Sequence, residues 1–354
     1  MIACISKALA PVVALSALPS LLAAQSPDSA AFIVRLGQDT TGVERYVRTA
    51  DRIEAISVSR SPRTTVRRLT IWLADDGSVA RYATGGATGE LEERTSPEGA
   101  IPIVGGFYVP WELALRRAQR AGGANATVTI TTGGGTMPIE MRRAQDGSWQ
   151  FGDQFDQAAR AAVDSQGRLQ RYAIDDGRIS AQRVAWVDID AIASTFQGRD
   201  RSGAGMGPLS PLDSVRATAG AASLTVEYSR PSLRGRSLDM LVPPGEVWRM
   251  GANNATSLAT NRALQFGDVR LEPGTYSMFT SRENGSWTLI FNTQTGMSGL
   301  ERDPARDVGR VPLDVTSLAQ PVEQFTIAIE PADGGGAIHI RWATTEATAR
   351  FRTR

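Results

Sequence analysis

Apolar and polar positions alternate with a period of two along most of the chain, in short runs separated by turn residues. Ala31-Phe32-Ile33-Val34-Arg35-Leu36 opens the series. Residues 44–59 and 65–73 follow, rich in β-branched and aromatic side chains that suit a pleated, half-buried surface. Asp75-Asp76-Gly77, Gln145-Asp146-Gly147, Asp164-Ser165-Gln166-Gly167 and Asp175-Asp176-Gly177 punctuate these runs. Asp-Gly between apolar alternations predicts a tight hairpin, because the turn needs positive φ. A calcium loop needs spaced Asp/Asn ligands and a closing Glu, a pattern these segments lack, so they read as turns.

Helical periodicity interrupts the strands twice. Residues 110–120 begin with Pro110, carry Glu112 in the first turn and end before Gly122. Trp111, Leu115 and Ala118 then share one face, which would pack on a sheet. The second helix starts at the N-cap residue Asp188 and runs through Ile189, Ile192 and Phe196. Residues 197–211 hold four glycines and two prolines with little apolar content, which predicts a linker. Beyond it the alternation resumes, with Leu224, Val226 and Tyr228 on one face. Residues 275–281 and 286–292 flank Arg282-Glu283-Asn284-Gly285, a hairpin signal. Residues 322–329 and 337–342 bracket a turn at Gly334-Gly335-Gly336, and no helix is expected after the linker. The pattern predicts a mainly β protein: an N-terminal antiparallel sheet with one or two packing helices (25–196), a linker (197–211) and a C-terminal β-sandwich (212–354).

The first 24 residues differ from the rest. A short segment with one positive charge precedes an apolar run over 8–24, which ends in Ala23-Ala24 and is followed by polar residues. This reads as a cleaved secretory signal peptide. Two prolines and its length make a spanning helix of about 20 residues the lesser reading. Cleavage would remove Cys4 and Lys7, the only cysteine and the only lysine. The remainder would carry 37 arginines against 37 acids and a single histidine, His339. A P-loop and a pyridoxal Schiff base both need lysine, and a thiol nucleophile needs cysteine. One histidine cannot build a zinc site, and a Ser–His–Asp triad would have to use it. His339 lies in Ala337-Ile338-His339-Ile340-Arg341-Trp342, where alternation turns it to the solvent side if Ile338, Ile340 and Trp342 face inward. No cofactor and no metal is expected, with calcium or magnesium binding through oxygens left open by these absences. A net charge of zero provides no field for nucleic acid. The expected location is periplasmic or secreted, with no transmembrane segment after cleavage.

Four ordered motifs in the second half are distinctive. They are Val226-Glu227-Tyr228-Ser229-Arg230-Pro231-Ser232-Leu233-Arg234-Gly235-Arg236, then Val242-Pro243-Pro244-Gly245-Glu246-Val247-Trp248-Arg249-Met250-Gly251-Ala252-Asn253-Asn254-Ala255-Thr256, then Pro273-Gly274-Thr275-Tyr276 and Trp287-Thr288-Leu289-Ile290. Over residues 209–342 the chain resembles the bacterial domain-of-unknown-function family 2911. That resemblance implies a domain and no established activity. The chain departs from the family pattern at Leu238-Asp239-Met240, in place of Phe-Gly, and at Met297-Ser298-Gly299-Leu300-Glu301-Arg302, in place of Trp-Gly and a tyrosine. The N-terminal half is similar, by pattern alone, to exported half-barrel lipid carriers of the lipoprotein-sorting type.

The candidate ligand-binding residues are Arg230, Arg234, Arg236, Trp248, Arg249, Asn253, Asn254 and Thr256. Guanidinium forks suit carboxylates and phosphates, Asn and Thr add donors, and Gly235 and Gly251 allow close backbone approach. A purely structural alternative has Trp248 filling the core, Arg249 paired with Asp239 or Glu246, and Asn253 closing a turn. Arg67-Arg68, Arg116-Arg117 and Arg142-Arg143 read as solvated faces. The expected function is ligand or partner binding without catalysis, the ligand being a small anionic or polyhydroxylated molecule or an envelope component. Two alternatives stand beside it. One is a hydrolase of an envelope polymer using carboxylates among Asp239, Glu246, Asp303 and Asp307, which would need to lie about 5–9.5 Å apart. The other is lipid carriage by the N-terminal sheet. Asp303-Pro304-Ala305-Arg306-Asp307 otherwise reads as a capped turn with its own ion pairs.

Overall fold

The computed structural model describes residues 28–154, 157–174 and 178–353. The signal-like segment and the Asp175-Asp176-Gly177 turn lie outside the described residues. The N-terminal alternation becomes β1 (Asp28–Leu36), β2 (Asp39–Arg48), β3 (Arg52–Ser59), β4 (Thr65–Leu73), β5 (Val79–Gly86), β6 (Glu92–Thr95), β7 (Ile101–Pro102), β8 (Asn125–Thr132), β9 (Gly135–Arg143), β10 (Trp149–Gly152), β11 (Ala158–Val163), β12 (Leu169–Ile174) and β13 (Ile179–Val184). They form one sheet in the order β6-β5-β4-β3-β2-β1-β13-β12-β11-β10-β9-β8-β7. Two meanders thus spread outward from the central β1–β13 pair. The expected antiparallel arrangement holds except where β7 runs parallel to β8, with a helix as the crossover between them. The run 44–59 is two strands, because Thr49 breaks it: its Oγ1 donates to Asp51 Oδ1 at 2.7 Å and closes a turn.

The described Asp-Gly segments all turn as their chemistry requires, with Gly77, Gly147 and Gly167 at φ of 77°, 81° and 74°. Helix α1 (Val109–Ala121) has Pro110 in its first turn and ends at Gly122, and it buries Trp111, Leu115 and Ala118 as their spacing predicts. It packs against Phe32, Tyr46, Ile53, Ile71, Val128 and Trp149 of the sheet. Helix α2 (Ile189–Arg201) is capped by Asp188, whose carboxylate accepts from Ala191 N at 3.0 Å. It covers the opposite face, placing Ile189, Ala193 and Phe196 on Ile56 and Val58. Residues 197–201, read from sequence as the start of the linker, therefore belong to the last turn of α2. Arg199 and Arg201 there suit the negative helix end.

The C-terminal half holds β14 (Leu212–Ala219), β15 (Ala222–Ser229), β16 (Val247–Trp248), β17 (Thr256–Thr260), β18 (Leu264–Phe266), β19 (Val269–Leu271), β20 (Gly274–Glu283), β21 (Ser286–Asn292), β22 (Asp307–Ala332) and β23 (Gly335–Thr353). They form a separate antiparallel sheet ordered β14-β15-β17-β20-β21-β22-β23-β18-β19, with β16 on β20. Asn284 and Gly285 join β20 to β21 at φ of 48° and 82°, the hairpin geometry that Asn-Gly favours. Strand β22 pairs with β21 through its first residues and with β23 beyond them, with register breaks between Ser317 and Thr326. The sheet folds back at that break. Ile327 N then donates to the Tyr228 hydroxyl of β15 at 3.1 Å, across a core containing Leu224, Val226, Met278, Leu289 and Ile340. One helical turn that the sequence reading missed, α3 (Leu238–Leu241), is capped by Ser237. Four residues are too few for amphipathic periodicity to register.

The two sheets meet at a seam. Gln38 N, in the β1–β2 turn, donates to Arg234 O at 2.8 Å, and the Arg234 side chain pairs with Asp39. A Cβ on Gly235 would lie 2.2 Å from Gln38 Cδ, so glycine is required for this approach.

Candidate functional site

The predicted site residues fall into three groups. Arg230, Arg234 and Arg236 occupy a loop laid along the far part of β22. Arg230 donates to Phe325 O at 3.1 Å and to Thr326 Oγ1 at 2.9 Å, and it pairs with Asp213 at 3.0 Å. Arg234 serves the seam. Arg236 donates to Leu233 O at 2.8 Å and Ser232 O at 2.7 Å. Burial, reinforced by the charges of Arg178 and Arg234, pulls the Arg236 pKa down to about 10. These guanidiniums hold loops and the seam together.

Arg249, Asn253, Asn254 and Thr256 form the second group. Buried Thr256 donates to Met250 O at 2.6 Å and fixes Met250 at a φ of 52°. Gly251 is required by packing, since a Cβ there would meet Ser229 O at 2.8 Å. Gly299 N donates to Asn253 O at 3.0 Å, and Asn254 bridges to Ser298. The Arg249 side chain crosses Gly299, where a Cβ would lie 2.2 Å from its Cδ. The segment at which this chain departs from the family pattern thus lies directly on the candidate loop. Asn253 and Asn254 are exposed and Arg249 is half-buried. Asp239, one of the two acids considered as an Arg249 partner, pairs with Arg282.

The third group is aromatic. Half-buried Trp248 stacks on Trp342 with centroids 5.4 Å apart and meets Phe325 edge-on at 5.0 Å. With Trp287 and Leu238 these rings line a narrow cleft of about 10 Å³, room for about one water. Trp342 is anchored by its indole N–H, which donates to Glu323 O at 3.2 Å. Sequence reasoning selected Trp248 alone, because the others lie on strands 39 to 94 residues away and meet it only once the sheet has folded back. Their occurrence on alternating, core-facing positions was a signal for burial only.

Backbone strain concentrates around these rings and loops. Arg234, Met250, Asn253 and Ala343 account for four of the six non-glycine residues at positive φ among the described residues, and Ala343 directly follows Trp342. Such a conformation costs of the order of 1–3 kcal/mol per residue and collects at sites that hold ligands.

Three of the four carboxylates considered for hydrolysis, Asp239, Asp303 and Asp307, hold structural partners. Asp303 caps the turn Pro304–Arg306 by accepting from Ala305 N at 2.9 Å. Asp307 pairs with Arg302 and accepts from Asn292 Nδ2 at 2.9 Å. Both match the capped-turn reading. His339 does turn away from the core, but it is not solvated as expected. Its side chain is 13% exposed, held by Glu346 at 3.0 Å and Glu330 at 3.3 Å. Glu330 of the paired strand β22 and Glu346 from further along β23 itself cover it. No group of three or more His, Cys, Asp or Glu able to hold a metal occurs among the described residues.

The N-terminal sheet encloses helix α1 and a buried polar network. Glu112, on α1, accepts from Arg183 Nη1 at 2.7 Å, Leu169 N at 2.9 Å and the Tyr46 hydroxyl at 3.1 Å. Arg116 pairs with Glu112 at 2.9 Å and with Asp28 at 2.8 Å. Glu44, fully buried on β2, accepts from Val109 N at 3.1 Å and also from Tyr108 N, which satisfies the start of α1. Burial still raises the Glu44 pKa to about 8 against those two hydrogen bonds. Arg116 and Arg117 were expected on a solvated face. Arg116 is instead 15% exposed within this network, and Arg117 donates to Gly99 O at 3.0 Å. Adjacent helical residues are about 100° apart, so both can border the sheet where adjacent strand residues could not.

Residues 210–351 match the model of a family described as protein of unknown function (DUF2911), which places the C-terminal domain where its motifs predict. No curated protein matches the chain. Among solved structures, the crystal structure of MucB in complex with MucA(peri) is 10% identical, covering 94% of this chain and 89% of that one, at a TM-score of 0.14. The AttH structure from Nitrosomonas europaea is 8% identical over 92% and 90%, at a TM-score of 0.10. Neither likeness carries an argument at those scores. No helix among the described residues is long and apolar enough to cross a membrane, which says nothing of a β-barrel.

Proposed function

We propose that this chain is an exported, non-catalytic binding protein whose C-terminal domain takes a polyhydroxylated ligand. The ligand's apolar ring face lies against Trp248, and Arg249, Asn253 and Asn254 supply polar contacts from the adjoining loop. The observation that carries this reading is half-buried Trp248, held at the surface of a tight aromatic cluster with buried Trp287, Phe325 and Trp342 and bordered by backbone at positive φ. Indoles combine a large apolar face with a polar edge, a suitable platform for a sugar-like ring. An acidic substituent on the ligand would be met by the Arg249 guanidinium.

Thermal-shift screening against neutral and acidic oligosaccharides tests the proposal. A true ligand raises Tm by about 2–4 °C near saturation. The Arg249→Ala/Asn253→Ala variant, folded by circular dichroism, loses that shift. A folded variant that keeps every hit contradicts the loop's role, and a blank panel contradicts the reading itself.

A further inference from the structure

A second recess lies in the other half of the molecule, at the C-terminal end of α1. It is about 370 Å³, open to solvent, and its lining includes Arg48, Arg116, Arg117 and Arg120 together with Asp76 and Glu98. Four guanidiniums thus face two carboxylates. Arg116 is matched by Glu112 and Asp28 behind it. Asp76 is engaged by its own turn, where it accepts from Ser78 N at 2.8 Å. Arg48, Arg117 and Arg120 form no salt bridge among the described residues, although Asp76 and Glu98 still bring their charge to the recess.

Arg48 is the decisive residue. It ends β2, and its Nη1 is shut off from solvent without a hydrogen-bond partner. A buried guanidinium nitrogen with no acceptor carries the full desolvation cost of a charged donor, and turning the side chain toward an anion in the recess would recover it. Burial and the neighbouring Arg116 and Arg120 charges also hold Arg48 below the ordinary arginine range. Arg117, which burial shifts in the same direction, uses one nitrogen on Gly99 O and has the rest of its fork free to serve a ligand. Exposed Arg120 ends the helix beside the β4–β5 turn, where a Cβ on Gly77 would lie 3.3 Å from its Nη1. A side chain at that position would narrow the entrance.

We propose that this recess is an anion site for a phosphate group, free or as a monoester, gripped by Arg48, Arg117 and Arg120. Several forks converging on one small oxyanion give charge-assisted hydrogen bonds that water does not replace at equal strength. The site is independent of the aromatic recess in the C-terminal domain, so either can fail without the other.

Isothermal titration calorimetry on the full chain, at constant ionic strength, uses inorganic phosphate and glycerol phosphate as separate probes. At least one gives saturable binding, and which one does so separates the free ion from the monoester. Arg120→Gln, on an exposed position that folding does not need, weakens it about tenfold. Arg350→Gln, an exposed arginine on β23, leaves it unchanged and serves as the charge control. Arg48→Met abolishes it while the fold persists, because that nitrogen has no partner to lose. Absence of saturable heat with both probes overturns the site, as does equal weakening by Arg120→Gln and Arg350→Gln.

Discussion

At the scale of single residues, the molecule uses its charged groups far more as structure than as chemistry. Glu44 shows the energetics most clearly. Its folded pKa of about 8 stands above the ordinary glutamate value of 4.5. Its contribution to stability is therefore complete below about pH 4.5 and is lost as pH rises through about 8. Glu44→Gln keeps an oxygen acceptor for Tyr108 N and Val109 N and removes the titration. Urea unfolding between pH 5 and 9 should then show the variant gaining on the parent as pH rises, with a flat difference beyond. Parallel profiles would show that burial does not govern this carboxyl. The arginines follow the same logic: Arg230, Arg234 and Arg236 were legible as a cluster, but not as supports. Arg236 holds local carbonyls, but Phe325 and Thr326, which Arg230 holds, and Asp39, which Arg234 holds, lie 95, 96 and 195 residues away. No local pattern reports contacts over such separations.

At the scale of elements, the sequence was most informative where chemistry and geometry are local. Asp-Gly and Asn-Gly turns, the Asp188 cap and the Trp111–Leu115–Ala118 face could all be read directly, since each is fixed within four or five residues. Elements set by tertiary pairing were not. The Gly334-Gly335-Gly336 turn is an example. Only Gly334 turns, with φ of 71°, while Gly335 and Gly336 are the first residues of β23. Gly335 is glycine because a Cβ there would meet Phe351 O at 2.0 Å, deep in the paired sheet. Gly335→Ala should therefore cost about 1–3 kcal/mol in urea unfolding, while Gly334→Asn at the turn itself should cost far less. Equal costs would mean that the close approach is not fixed. The length of β22 and β23 was likewise hidden, because exposed positions along their first pairing carry no alternation to read.

At the scale of the whole molecule, the mainly β architecture and the family resemblance of the C-terminal domain were legible in the sequence. The candidate site was legible in part. Its polar loop and Trp248 were found, but the recess exists only because β22 bends and brings Phe325 and Trp342 onto Trp248. The central claim is that ligand meets indole in the C-terminal domain, and resonances of labelled indole N–H groups report this residue by residue. The sequence has seven tryptophans, well separated between the two sheets. Titration with an oligosaccharide that stabilises the protein should shift Trp248, and to a lesser extent Trp287 and Trp342, while leaving Trp111 and Trp149 in place. Shifts confined to the N-terminal tryptophans, or none at saturating ligand, would contradict the account.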